Sequence, residues 1–289
     1  MSRHVGIVGG GIVGLCCAYS LARAGHRVTA VVRSERAAEQ VTAAGATPVQ
    51  GDLTDRAWLA EQLRGVDGAI HTASPGDATS PAFDRAVVAA VVEAFDGTSK
   101  PYVHTSGLWI YGSGEGLGED SPLNPPDLTA WRPSVEADVL DSDLVASIVV
   151  PAVVYGHGGG LPNLVVDGPR DGSGRLVLLG DGSQHWGVVH VDDLAVLYVS
   201  VLESGRALGR VLGVTDENPT VRDLGEATGA DVVGEPVAAT RERLGQAFAD
   251  ALLLDQQFTP GAKAVALGWS PQGPTLVDDL ATGSYAEHG

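Results

Sequence analysis

The sequence predicts an α/β fold: a doubly wound parallel sheet with a smaller C-terminal lobe. Three observations predict it. Short apolar runs alternate with helical stretches over the first half of the chain, the pattern of a parallel sheet buried on both faces. A glycine-rich turn, Gly9-Gly10-Gly11-Ile12-Val13-Gly14, joins the first apolar run to the first helical stretch. From about Gly156 glycine and proline become dense, as in Gly156-His157-Gly158-Gly159-Gly160, and the texture changes to short pieces.

Taken in order, the apolar runs predict strands at 4–8, 27–32, 47–50, 68–72, 101–106 and 146–153. The first strand leads through the glycine turn into an alanine- and leucine-rich helix at 12–24, which stops at Gly25. Helices are predicted between the later strands at 34–44, 56–63, 81–95 and 129–140. Right-handed crossovers make such a chain doubly wound. Beyond Gly156, helices are predicted at 191–203 and near 241–253. The expected division is a dinucleotide-binding domain over residues 1–155 and a substrate lobe over 156–289. The two are partly intertwined, with the sixth-strand region and the 187–214 segment returning to the main domain.

The 289 residues, 44% of them hydrophobic, suffice for a sizeable core. No apolar run approaches the roughly 20 residues that span a bilayer, and the N-terminus has no signal-peptide pattern, so a cytoplasmic protein is expected. The net charge of −18 argues against nucleic acid and anionic membranes as partners, since phosphate binding needs clustered Lys and Arg. A phosphate-bearing cofactor must then be held by local donors. The cysteines, Cys16 and Cys17, are neighbours in the first helix, where a disulfide would be strained, so they are read as small buried residues.

Gly9, Gly11 and Gly14 fit the Rossmann pattern G-x-G-x-x-G. The first glycine permits the tight turn, the second lets the backbone approach a pyrophosphate, and the third lets helix and strand pack closely. Ile12 and Val13 open the helix whose N-terminus faces the anion. At the end of the second strand, where an acidic residue would hold a ribose 2′-hydroxyl, the chain has Arg33 followed by Ser34. Arginine pairs with a 2′-phosphate, which favours NADP over NAD and leaves NAD open. The opening also resembles FAD-dependent amine oxidases, but those carry an acidic residue at the Arg33 place and run longer.

Further segments resemble the extended short-chain dehydrogenase/reductases of the NAD(P)-dependent epimerase/dehydratase type. Gly51-Asp52-Leu53-Thr54-Asp55 looks like the adenine-contacting turn, which implies that role for Asp52 and Leu53. Thr72-Ala73-Ser74 ends a strand that passes the cofactor ribose in that family. Thr105-Ser106-Gly107-Leu108-Trp109-Ile110-Tyr111-Gly112 resembles the active-site strand and loop. Pro151-Ala152-Val153-Val154-Tyr155-Gly156 resembles the nicotinamide-side strand, and His190-Val191-Asp192-Asp193 the helix supporting the substrate lobe. The resemblance implies Pro151, Val153, Val154 and Thr105 as cofactor contacts. It also implies a homodimer through the helices near 81–95 and 129–140.

The departures concern the catalytic set. A typical member uses Ser or Thr together with Tyr-x-x-x-Lys, in which lysine lowers the tyrosine pKa and binds the ribose. Here the helix reads Leu128-Thr-Ala-Trp-Arg-Pro-Ser-Val-Glu136, and neither available register supplies a tyrosine. One register puts Arg132 at the lysine and Leu128 at the tyrosine; the other puts Arg132 at the tyrosine and Glu136 at the lysine. The first-loop glycine is also shifted by one, Val8 standing at the family's usual position.

Three residues are then candidates for chemistry. Arg132 can hold the ribose or a cofactor phosphate with a fixed charge, or pair with Glu136 one turn on. Ser106 can hydrogen-bond a substrate carbonyl or cap the following loop. Tyr111 can replace the missing acid or be structural. His157, His185 and His190 are read as surface or packing residues, and no metal site is expected. The leading expectation is NADP-dependent hydride transfer to a small-molecule carbonyl, imine or activated alkene with a non-standard proton relay. The alternatives are a non-redox lyase, isomerase or cyclase, and a nucleotide sensor without turnover.

Overall fold

Valine, isoleucine and alanine fill the strand positions so completely that these strands can only lie between two covering layers. The computed structural model describes residues 2–286 and builds a seven-stranded parallel sheet from them. Its strands are β1 (His4–Val8), β2 (Arg27–Val32), β3 (Thr47–Gln50), β4 (Gly68–His71), β5 (Pro101–Thr105), β6 (Val145–Pro151) and β7 (Gly209–Gly213). They lie in the order β7-β6-β5-β4-β1-β2-β3. The chain reverses direction across the sheet between β1 and β4, and the crevice at the carboxyl ends of those strands is where such sheets place ligands.

Helices α1 (Ile12–Arg23) and α2 (Glu35–Ala43) cover one face, and α3 (Arg56–Arg64), α4 (Ser80–Phe95) and α5 (Arg132–Leu140) cover the other. Helix α6 (Val191–Ser204) packs against α1. It reaches that side because the chain leaves β6, detours through the lobe, and returns to β7, so the rule for direct crossovers does not apply to it. Among the described residues, no helix is long and apolar enough to cross a membrane.

The observed bounds depart from the sequence reading in three places. The sixth strand is split: β6 ends at Pro151, the Ala152 N–H donates to the Gly213 carbonyl at 2.9 Å, and the Val153 N–H crosses to the Gly187 carbonyl at 3.0 Å. Residues Val153–Gly156 thus leave the main sheet and pair with Val188–His190. Helix α5 begins at Arg132 rather than Thr129, because Pro133 fits only a first helical turn. The helix expected at 241–253 is two, Val237–Leu244 and Gln246–Leu252, broken at Gly245 with φ of +82°.

The lobe has its own core, in which Tyr155, Leu176, Leu178, Trp186, Leu224 and Leu276 are buried. Between the sheet and α4 lies a feature that apolar patterning does not describe. Asp84 of α4 accepts a hydrogen bond from His71 of β4 at 2.7 Å and stands 3.5 Å from His104 of β5. His104 in turn meets the Tyr102 hydroxyl at 2.9 Å. Burial pushes the Asp84 carboxyl up, but the His71 hydrogen bond and the charges of His71, His104 and Arg132 outweigh it, so it stays below its ordinary range. Burial drives the His104 imidazole down from 6.5 to about 3.

This second shift fixes a sign. Between pH 6.5 and about 3 the unfolded chain protonates at His104 and the folded chain does not, so stability falls as pH falls through that window. The slope reaches about 1.4 kcal/mol per pH unit. In urea denaturation, His104→Gln is expected to remove up to about 2 kcal/mol of the stability difference between about pH 7 and about pH 5. An unchanged pH slope would contradict the assignment.

Candidate active site

The turn after β1 is shaped by what its glycines leave out. Gly9 takes φ of +124°, and a Cβ there would fall 2.7 Å from the Ala73 nitrogen. A Cβ on Gly14 would fall 2.4 Å from the Gly9 carbonyl oxygen. These two positions let β1, α1 and the end of β4 close on one another. Gly11 is different: a Cβ there would meet nothing within 4 Å. It stands at the N-cap of α1, where no side chain caps the first amides, including those of Ile12 and Val13. An open cradle at an uncapped helix N-terminus fits a pyrophosphate.

The rim of the crevice comes from neighbouring strand ends. The Val8 carbonyl accepts from the Thr72 and Ala73 amides at 2.9 and 3.0 Å. Val13, Ala73 and Val154 are partly buried against the main core, and Ser74 is exposed beyond them. Val153 turns the other way, into the core of the lobe, and Pro151 pairs with Gly213 inside the sheet. Arg33 is exposed at the end of β2. Across from it, Asp77 is held below the ordinary carboxylate range by hydrogen bonds from Thr79, with a smaller contribution from the Arg33 charge. Ser34 caps α2 by accepting from the Ala37 amide at 3.3 Å. Asp52 is exposed and accepts from the Thr54 amide and hydroxyl, while Leu53 is buried.

At the end of β5 the candidate catalytic residues separate. Arg132 donates to the Thr105 carbonyl at 3.3 Å, its guanidinium 4.7 Å from the centre of the Trp131 ring. The pairing with Glu136 that helical spacing allows is not formed. Glu136 is 1% exposed and its carboxylate goes instead to Arg210 of β7, at 2.6 Å, and to the Ser106 hydroxyl. The serine proton is thus aimed at Glu136 and leaves only lone pairs for the crevice. The Thr105 hydroxyl is shared between the His71 carbonyl and the Tyr198 hydroxyl. Tyr111 is buried in the core, donating to the Glu119 carbonyl at 3.3 Å and meeting Phe258 edge-on, and burial pushes its phenol up to about 12.

His185, His190 and Asp193 have structural partners. His185 bonds Asp255 at 2.8 Å, and His190 caps α6 through the Asp192 amide. Asp193 accepts from the Gln272 and Gly273 amides and so ties α6 to the lobe. The Cys16 thiol is pushed up to about 12 by burial and the nearby Asp192 charge, which removes it as a nucleophile. In the lobe, a cavity of about 570 Å³ is lined by Leu161, Leu164, Leu244 and Phe248, with Asn163, Asp167 and Arg243 as polar groups. It borders the loop after β5, since the Phe248 ring lies 6.2 Å from that of Trp109.

Sequence reasoning missed two parts of this arrangement. The Ser106–Glu136–Arg210 chain joins β5, α5 and β7, and no local spacing encodes it. The His71–Asp84–His104 group left a faint signal: polar residues inside otherwise apolar strands and on the apolar face of α4.

Comparison with known proteins agrees with this geometry. A family model described as NAD(P)H-binding matches residues 9–202. An uncharacterised protein of Schizosaccharomyces pombe is 29% identical over 285 residues, covering 95% of this chain and 97% of the relative. The 2-alkyl-3-oxoalkanoate reductase of Stenotrophomonas maltophilia is 27% identical over 216 residues, 68% of this chain and 64% of that protein. The dTDP-glucose 4,6-dehydratase of Streptomyces venezuelae, solved with NAD bound, superposes with a TM-score of 0.76 at 22% identity, covering 99% of this chain and 97% of that one. That likeness establishes the fold expected from the motifs.

Removing one member of a buried ion pair strands the other. Glu136→Ala, which leaves Arg210 and Ser106 without their acceptor, is expected to cost about 3–5 kcal/mol in chemical denaturation. A cost below about 1 kcal/mol would mean that the chain does not hold β5, α5 and β7 together.

Proposed function

We propose, for a chain that belongs to the NAD(P)H-binding family, that it is an NADP-dependent reductase acting on a carbonyl, imine or activated alkene of a small molecule with an apolar body. One observation carries the reading. Arg132, a fixed cation with one hydrogen bond among the described residues, stands at the carboxyl end of β5 beside the crevice, while Glu136 is turned away from it.

The residues present fit a dinucleotide. The amides at Gly11, Ile12, Val13 and Gly14 would hold the pyrophosphate, and Asp52 and Leu53 would flank the adenine. Thr72, Ala73, Ser74 and Thr105 would line the ribose and nicotinamide side, with Val154 as an apolar wall. Pro151 and Val153 support that wall from behind. Arg33 would pair with a 2′-phosphate, with Ser34 fixing the start of α2 beside it. When bound, the nicotinamide supplies or accepts a hydride. Arg132 would donate hydrogen bonds to the substrate atom on which negative charge develops. Ser106, its proton committed to Glu136, would accept rather than donate. Tyr111 is too deep to serve, so the proton would come from water at the crevice mouth. The cavity beside Trp109 and Phe248 would take the apolar body.

Calorimetric titration with NADPH and NADH, followed by turnover on a panel of ketones, imines and enones, tests this. NADPH is expected to bind more tightly than NADH, and Arg33→Ala to weaken NADPH by about tenfold while leaving NADH unchanged. Gly11→Trp is expected to abolish binding and turnover together. Arg132→Met is expected to lower kcat/KM by about 10²-fold with little change in cofactor affinity. Turnover that survives Gly11→Trp would favour a non-redox catalyst. Tight NADPH binding without turnover on any substrate would favour a sensor.

A further inference from the structure

The strongest unexplained cluster lies outside the crevice. Cys16 of α1, His157 in the turn after Val153–Gly156, and Asp192 in the first turn of α6 come from three separate segments. The Cys16 sulfur, a ring nitrogen of His157 and a carboxylate oxygen of Asp192 all lie within 4.8 Å of one another. The His157 Nε2 is 3.1 Å from both carboxylate oxygens of Asp192.

We infer that these three residues form a binding site for a single zinc-type divalent cation that clamps the 156–160 turn onto α1. The donor set is the first reason. One thiolate, one imidazole and one carboxylate suit a borderline-soft cation and not calcium or magnesium, which take oxygen ligands. The second reason is distance. A tetrahedral zinc ion with bonds of about 2.0–2.3 Å keeps its donors roughly 3.3–3.8 Å apart, so shifts of about an ångström close the site. The third reason is the backbone. Among the described residues outside glycine, His157 alone has a positive φ, +53°, and that conformation delivers its ring to the cluster.

The support around the cluster is in place. The Gly158 amide donates to the Ser284 hydroxyl and the Asn163 side-chain Nδ2 to the Gly158 carbonyl, at 2.8 and 2.9 Å, which holds the turn from behind. The His190 ring packs edge-on against His157 at 5.7 Å. Two acidic residues, Asp192 and Asp193, open α6. On binding, the sulfur–metal bond forms and the thiol proton leaves to solvent. The His157–Asp192 hydrogen bond is replaced by two metal bonds, the Nε2 proton moving through solvent to Nδ1 so that the neutral imidazole presents Nε2 to the cation, and the fourth position stays open to water. The same turn touches the dinucleotide cradle, since a Cβ on Gly159 would fall 3.0 Å from the Ile12 side chain. A cation here would therefore fix the wall of the crevice without entering it.

Cobalt(II) titration of the full-length, chelator-treated protein tests the site, because a cobalt–thiolate bond gives a charge-transfer absorption in the near ultraviolet. The expected result is a band saturating at one equivalent and displaced by zinc. Cys16→Ser should abolish it, and His157→Gln and Asp192→Asn should each weaken cobalt binding at least about tenfold. Cys17→Ser, in the buried neighbouring position, should leave it intact, and circular dichroism of each variant checks that the fold is kept. No thiolate band, or a band that survives Cys16→Ser in folded protein, would overturn the proposal. So would a stoichiometry other than one. NADPH affinity is read separately, so loss of the metal site and loss of the cofactor site are distinguishable.

Discussion

The Val8 carbonyl oxygen is the point on which the crevice hangs. It accepts two amides, Thr72 at 2.9 Å and Ala73 at 3.0 Å, and so ties the end of β1 to the end of β4 where the chain changes direction across the sheet. That approach is possible only because Gly9 and Gly14 lack side chains: a Cβ on either would meet backbone at 2.7 or 2.4 Å. With β1, β4 and α1 drawn together, the start of α1 is left uncapped, with space beside Gly11. The tight contact is made by Gly9 itself, one residue beyond the position at which the resemblance places the first glycine.

A second constraint is buried charge. The sheet carries a parallel hydrophobic core and, on the α4–α5 side, two polar groups that the core must accommodate: His71–Asp84–His104 and Ser106–Glu136–Arg210. Each carboxylate is met by more than one partner, which is the condition under which a buried anion is tolerable. The two groups flank Arg132, whose guanidinium has Asp84 and Glu136 as its nearby negative charges. Burial lowers the guanidinium pKa and those charges oppose the shift. The site is electrically balanced by residues drawn from β4, β5, β7, α4 and α5, although each is unremarkable within its own segment.

This explains what could be read from the chain and what could not. Strands β1, β2 and β3 fall at the residues where apolar runs predicted them, because a parallel strand's burial is written into consecutive side chains. Helix α5 begins three residues late because Pro133 restricts the first turn, a signal present in the sequence and outweighed by the longer apolar pattern. The break at Gly245 is likewise local, and a single glycine inside a helical pattern does not reveal whether its φ will turn positive. The Glu136 partnership was of another kind. Residue 132 lies one turn away and residue 210 on a distant strand, and only the sheet order, with β7 next to β6, decides between them.

An arginine at this place, rather than a lysine, changes what the crevice can ask of a substrate. A lysine tunes a neighbouring tyrosine and can itself gain or lose a proton; an arginine keeps its charge across the range in which enzymes work. With Tyr111 in the core and the Ser106 proton held by Glu136, the crevice offers a cation and hydrogen-bond acceptors but no titrating acid of its own. Such a site stabilises negative charge as it develops without delivering a proton in the same step. On the function proposed above, it would suit a conjugated enone, whose enolate tolerates delayed protonation, before a simple ketone. Around the Arg132 guanidinium, burial strengthens every charge, so the balance between it, Asp84 and Glu136 sets how much positive potential reaches the crevice.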